Sequence, residues 1–423
     1  MKRLLFALLG VVAIVAWHLE SRADDWPQFH GPNRDNLCAE TGLLQQWPDG
    51  GPKLLWTLKG LGKGYSTVSI VDGTLYTMGD RPTDDGNRQF VLAFDLATRK
   101  ELWACEVGDP HRDGPRCTPT VDGDLVFALG TSGDLVCVEA KTGKLRWKKS
   151  LVDDFGGRMM SVWRFSESPL VDGEKVVCTP GAKDALLVAL NKQTGETIWK
   201  TQAGDLGPAG KDGAGYCSIV PATIEGARQY VTLVGRGAVG VDAETGKLLW
   251  HYNRIANSVA NITCPVIKDN LIFVTTSYKT GCALIEIKRQ GDTFTAQEVY
   301  FYDYEHFNNH HGGVVLVGDS VYGGSGQNKG ILKCLDLKTG KILWEHEPLG
   351  ERSAAVLYAD GCLYFRYERG TVALVAADPT GFRLLGQFKA PVVDGPAWPH
   401  PVISDGKLYL RANDTLMCYE VSN

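Results

Sequence analysis

Apolar positions in this chain fall in short alternating runs, and the runs come in groups of four. Residues 118–150 show the unit: "TPTV", a turn, "DLVFALG", a loop, "DLVCVEA", a turn, "KLRWKKS". A period of two marks a strand with one buried face. Windows with the 3.6-residue period of an amphipathic helix are scarce, so an all-β chain is predicted.

Two kinds of tight turn alternate between the runs. The first is Asp-Gly or a relative: Asp72-Gly73, Asp122-Gly123, Asp172-Gly173, Glu225-Gly226, Asp269-Asn270, Asp319-Ser320, Asp360-Gly361 and Asp405-Gly406. Such pairs supply the positive φ angles of two-residue hairpins. The second is T-G-K or T-G-E ahead of an apolar-apolar-Trp run, around Gly143, Gly195, Gly246 and Gly340, with weaker copies at "ATRKELW", "RQGDTF" and "DPTGFRLL". Four short antiparallel strands repeating at roughly 50-residue intervals make a β-propeller. The count gives eight blades of four strands.

The last unit, "HPVISDGKLYLRANDTLMCYEVSN", runs out after three strands, and an orphan run, "LLWTLKG", precedes the first complete unit. Its Trp56 occupies the slot that Trp103, Trp147, Trp199, Trp250 and Trp344 fill elsewhere. The orphan is expected to complete the last blade, because an open ring would expose two sheet edges. An indole at one strand position in successive blades is expected to dock each sheet on the next. The domain reading is a targeting segment at 1–23, an arm at 24–53 and one propeller at 54–423.

Composition changes this picture little. Among 423 residues there are 49 Gly, and the net charge of -5 comes with no long basic or acidic run, so nothing points to nucleic acid. Lys2 and Arg3 precede an apolar run from Leu4 to Trp17, and Ser21-Arg22-Ala23 offers small residues for cleavage. This reads as a secretory signal cut after Ala23, with a run too short to span a bilayer and no Cys near the cut for a lipid anchor. A soluble periplasmic or extracellular protein is expected, as a monomer or within a complex, with no transmembrane segment in the mature chain. Eleven Cys in an exported chain invite disulfides. Yet Cys137, Cys334 and Cys418 share a repeat slot that Ala93 and Ala189 fill elsewhere, so that slot wants a small apolar side chain. Buried thiols and one or two bridges both stay open.

Strand parity places the tight turns on one face and the long connections on the other, including "GDRPTDDGNRQ", "LVDDFGGRMMSVWRFSE", "AGDLGPAGKDGAGY" and "YDYEHFNNHHGG". Long loops on a rigid scaffold are where function concentrates. Candidates around the axis of that face are His111, Arg116, Arg158, Trp163, Arg164, Glu167, Tyr216, Asn261, His310, His311, Arg352 and Trp398. Cations, amides and aromatics converging on one axis suit an anionic or polar planar ligand, with Trp163 and Trp398 as stacking surfaces. A metal reading of "EHFNNHHGG" needs His306, His310 or His311 with Asp303 or Glu305. Neighbours on an extended strand point opposite ways, which would keep His310 and His311 off one ion, so no metal is expected.

"AKTGKLRW", "AETGKLLW" and "LKTGKILW" resemble the tryptophan-docking repeats of PQQ-type β-propellers, a superfamily that includes quinoprotein alcohol dehydrogenases and the propeller subunit of the outer-membrane β-barrel assembly machine. The resemblance covers residues 54–423. "DDWPQFHGPNRDN" and "SESPLVDGEKVVCTPGAKDALLVALNKQTGETIW" are similar to secreted PQQ-like repeat proteins of planctomycete-type bacteria. The dehydrogenases of the superfamily resemble one another in a vicinal Cys pair over the quinone and a calcium held by Glu and Asn. No two Cys are adjacent here and no C-x-x-C-H haem motif occurs; Glu167 with Asn257 or Asn261 would have to mimic the calcium ligands. The expected role is a non-catalytic binding or scaffold module of the cell envelope, without cofactor, presenting its elaborated face to a protein, a peptide or a polar small molecule. The alternatives are a PQQ- and calcium-dependent dehydrogenase acting on an alcohol or sugar, and a polysaccharide-binding propeller.

Overall fold

The computed structural model describes residues 25–391 and 395–423, so the expected signal segment and its cleavage point lie outside the described residues. Eight antiparallel sheets follow one another along the chain: 69–108, 120–150, 170–200, 220–252, 266–303, 314–346, 354–389, and a last sheet of 402–420 joined by 54–59. They are blades one to eight. Among the described residues no helix is long and apolar enough to cross a membrane. The first strands of neighbouring blades approach one another, which puts them innermost around a common axis.

The ring closes as the sequence implies. Strand Leu54–Lys59 pairs antiparallel with Thr415–Glu420, setting Trp56 opposite Cys418. Arg411, fully buried, stitches the seam between blades eight and one. Its guanidinium donates to the carbonyls of Gly62, Ser66 and Met78, to Thr77 Oγ1, and to the carbonyl of Asn413 in the turn after its own strand.

The repeated turn phrase is a docking device with two halves. In each turn the leading side chain accepts from the residues it precedes: Asp242 Oδ1, for example, takes Thr245 N–H at 2.8 Å and the Thr245 hydroxyl at 2.7 Å. The glycine that follows then lies flat on the previous blade's indole. A Cβ on Gly143 would meet Trp103 at 2.5 Å, on Gly195 Trp147 at 2.8 Å, and on Gly246 Trp199 at 2.5 Å. The same indoles donate to the turns they touch, Trp103 to Ala140 O and Trp147 to Lys192 O, both at 2.9 Å. Blade five has no Trp; Tyr300 and Tyr302 take its place against Gly340 and donate to Leu337 O and Thr339 O. Trp250 turns inward instead: its Nε1 donates to Gln229 Oε1 and its ring covers Gly240 of its own blade, where a Cβ would meet it at 2.1 Å, while a Cβ on Gly291 of the "RQGDTF" turn would meet nothing within 4 Å. Trp56, opposite "ATRK", is half-buried, with Arg99 standing at a positive φ of 61 in the glycine slot.

"GDRPTDDGNRQ", read as a long loop, is instead the extended tip of a hairpin, Thr74–Thr83 with Gly86–Asp95. All eleven Cys are free thiols, ten of them buried.

The arm is a plug. Trp26 exchanges backbone bonds with Ile70 on the innermost strand of blade one, and Pro27 O accepts from Val121 of blade two. The chain then rises along the axis to Phe29 and His30 and doubles back. Arg34, 2% exposed, donates to Ser168 O and Pro169 O at 2.6 and 2.9 Å. Asn36 bonds Val356 O, and Leu37–Cys38 adds a parallel fifth strand to blade seven. The plug enters from the tight-turn face, and its tip stops midway.

Candidate functional site

Above the plug the axis opens to the elaborated face as a cavity of about 330 Å³. One register position builds most of its wall. The residues four positions before the first strand of each blade are Tyr65, Arg116, Ser166, Tyr216, Ile262, His310, Gly350 and Trp398, and all but Gly350 line the cavity. The repeat therefore delivers a ring of side chains to one level, just as it delivers indoles between blades.

Hydrogen bonds link the blade entrances around that ring. Tyr65 N–H donates to Pro115 O, Thr118 N–H to Ser168 Oγ, Ser168 N–H to Ser218 Oγ, Tyr216 N–H to Asn261 O, and Thr67 Oγ1 to His400 O. These bonds tie neighbouring blade entrances to one another and so fix the level of the ring.

Aromatic rings make the walls and floor. Tyr65 lies 4.5 Å from Trp398 between centroids, and Trp163 meets Tyr216 edge-on at 5.9 Å. Phe29, from the plug, stacks on His30 at 3.8 Å and forms the floor. His400 Nε2 faces the carbonyl of His311 at 3.0 Å and must donate to it, so its Nδ1 accepts from His30 Nε2 at 3.1 Å. Burial favours the neutral form of His400, lowering it to about 4, and of His310, lowering it to about 3, with the neighbouring His311 adding to the effect at His310. Arg116 is the permanent charge among the lining residues, tied to Trp163 O and to Asp113 Oδ2, both at 2.8 Å.

Of the twelve candidate residues, Arg116, Trp163, Tyr216, His310, His311 and Trp398 meet in this cavity. The other six stand elsewhere. His111 braces its loop, its N–H on Asp80 Oδ2. Arg158 pairs with Asp212 at 3.2 Å in a separate cleft of about 290 Å³ beside blades three and four. Arg164 and Arg352 are exposed at positive φ. Glu167 is buried, accepting Thr179 N–H at 2.5 Å. Asn261 is buried and spends its amide on Val234 O and Gly235 O, while Asn257 spends its own on Ala260 O, Asn261 Oδ1 and Thr276 Oγ1.

Sequence reasoning missed Tyr65, Ser166 and Ile262, which the register slot would have given. It also missed Phe29, Tyr278 and Glu368, for which no repeat signal exists. His310 and His311 are not kept on opposite faces, because the chain bends there rather than running as a strand. Their rings lie 4.2 Å apart, and His311 Nε2 sits 3.2 Å from Glu368 Oε1.

Among known proteins, a quinoprotein ethanol dehydrogenase of Pseudomonas aeruginosa is 30% identical over 176 residues, covering 41% of this chain and 24% of that one. The quinoprotein alcohol dehydrogenase PedH of Pseudomonas putida is 29% identical over 160 residues, 36% of this chain and 25% of its own. The chain thus spans about a quarter of the length of these dehydrogenases. The outer membrane protein assembly factor BamB of Burkholderia pseudomallei is 24% identical over 260 residues, 60% of each chain. Two solved structures share the fold: BamB from Moraxella catarrhalis, with a TM-score of 0.63 at 13% identity over 87% of this chain and 99% of that one, and the quinohemoprotein alcohol dehydrogenase from Comamonas testosteroni, with 0.66 at 14% identity over 95% and 81%. The family model described as outer membrane protein assembly factor BamB matches residues 87–346, more than half of the sequence, and the chain belongs to that PQQ-repeat propeller family.

Proposed function

We propose that this protein is a binding module of the cell envelope whose axial cavity takes a planar, apolar ligand carrying one anionic group. The observation that carries the reading is the pairing of an aromatic box, Tyr65, Trp163, Tyr216, Tyr278 and Trp398 over Phe29, with the single guanidinium of Arg116. Aromatic faces recognise a planar body, and a partly buried guanidinium recognises its acid. The envelope setting rests on the outer membrane assembly role printed for the BamB relative.

The dehydrogenase relatives support a second reading, in which the ligand is PQQ itself. The cavity suits a planar acid, but the residues do not fit a calcium–quinone centre. Glu167 lies buried away from the cavity lining, and both candidate amides are consumed by backbone and side-chain partners of their own loops. A polysaccharide platform finds little support, because among the described residues Tyr304 is the one aromatic in the set of exposed large apolar side chains.

Calorimetric titration with naphthalene-2-sulfonate and its neutral analogue 2-naphthol tests the reading. The sulfonate is expected to bind one per chain, and Arg116→Ala to weaken it at least about tenfold, or 1.4 kcal/mol, while affecting 2-naphthol less. Equal loss for both compounds, at unchanged melting temperature, would remove Arg116 from the site. Dye reduction on adding PQQ, calcium and ethanol would replace the binding reading with the dehydrogenase one.

A further inference from the structure

We propose that His310, His311 and Glu368 form a binding site for one divalent transition-metal ion of the zinc class in the wall of the axial cavity. This deepens the binding reading above: it rests on the same cavity but not on the organic occupant. One ligand atom from each of the three residues lies within 4.8 Å of the others, against about 3.4 Å between ligands in a tetrahedral zinc site. His311 Nε2 and Glu368 Oε1 already stand at that spacing, 3.2 Å apart. The remaining spacings to His310 are at most 4.8 Å and must shorten toward that value when an ion binds.

The surroundings are those of a ligand set. His311 Nε2 has no hydrogen-bond partner of good geometry, although it is buried. Glu368 is 9% exposed and is oriented by the Ser353 N–H, which donates to its Oε1. His310 is gripped from both sides, Nδ1 by Ser353 Oγ at 3.1 Å and Nε2 by the Tyr278 hydroxyl at 2.9 Å. Ser353 bonds both His310 and Glu368, so Nδ1 is the nitrogen on the carboxylate's side and the one assigned to the metal. Giving it up leaves Ser353 Oγ bonded, since Gln327 O and Asn328 Oδ1 are within 3.3 Å. Tyr278 then fixes the ring through Nε2, as outer partners of metal-bound imidazoles do.

Two imidazoles and one carboxylate favour zinc, cobalt, nickel or copper over calcium, which wants oxygen donors. Three protein ligands leave a fourth position, and because His310 and His311 line the cavity it faces the cavity.

The test uses the purified, tag-free chain, stripped with chelator and titrated with cobalt(II). The expected result is one equivalent bound with the visible absorption of a four-coordinate nitrogen–oxygen site, displaced by zinc. His311→Gln and Glu368→Gln should each weaken cobalt at least about a hundredfold, and Tyr278→Phe about tenfold. His306→Gln, whose ring bonds Gly340 O away from the cluster, should leave cobalt binding unchanged. Absence of stoichiometric cobalt in the wild type, or unaltered binding in both His311→Gln and Glu368→Gln, overturns the site. The sulfonate titration run in parallel separates the two readings. Sulfonate without cobalt sinks the metal alone, and cobalt without sulfonate sinks the organic ligand alone.

Discussion

The indole–glycine ledge between blades can be isolated with a pair of substitutions. Gly143 and Gly73 have nearly the same backbone conformation, φ 69 and φ 71, and both end tight turns. They differ in what a methyl group would meet: nothing within 4 Å at Gly73, and Trp103 Cδ2 and Cε3 at 2.5 and 2.6 Å at Gly143. Alanine at either position incurs the left-handed strain, about 1–2 kcal/mol. At Gly143 it also forces the indole off its ledge, and overpacking of that kind costs about 1–3 kcal/mol more. Gly73→Ala is therefore expected to cost about 1–2 kcal/mol and Gly143→Ala about 2–5 kcal/mol, read from urea midpoints at constant m-value. In a Trp103→Leu background the obstacle is gone, and the cost of Gly143→Ala should fall to that of Gly73→Ala. Equal costs for the two single substitutions, or strict additivity of Gly143→Ala with Trp103→Leu, would refute docking as the reason for the repeated phrase.

Two further substitutions bear on the interior. Burial raises Glu167 to about 7, against the pull of its Thr179 bonds and of Arg34. Below the ordinary carboxyl value both states hold the proton and nothing is lost. As pH rises toward 7 the unfolded chain releases it first, so stability falls by about 1.36 kcal/mol per unit, near 3 kcal/mol in all. Glu167→Gln should thus stabilise the protein at pH 8 relative to its effect at pH 4, and a pH-independent effect would contradict this. Arg411→Met strips the donors from the seam carbonyls of Gly62, Ser66 and Met78, and should cost at least about 3 kcal/mol in thermal or urea unfolding. A loss under 1 kcal/mol would mean that the seam is held by the Trp56 strand alone.

What the sequence could disclose follows from what repeats. The hairpin turns, the indole slot and the closing strand recur or complete a pattern, so local spacing fixes them; the Trp56 run could be assigned to the last blade before any coordinates. The cavity ring also recurs, four residues before each blade, but its members differ in chemistry, from Tyr65 to Ser166 to Ile262, and residue type masks the register. The plug leaves no periodic trace at all. Arg34 reaches Ser168 and Pro169 across more than a hundred residues of chain, and such bonds are set by closure of the ring. Arg158 and Arg164 looked functional by charge, yet one is paired at a side cleft and the other lies exposed at a loop tip.

The central claim is that the propeller axis, floored by the arm, is the binding site. A crystal structure of the protein soaked with naphthalene-2-sulfonate tests it most directly. The naphthalene should lie between Trp163, Tyr216, Tyr65 and Trp398 above Phe29, with the sulfonate on the Arg116 guanidinium and the arm undisturbed. Density confined to the cleft beside Arg158 and Asp212, or an arm displaced from the axis, would contradict it.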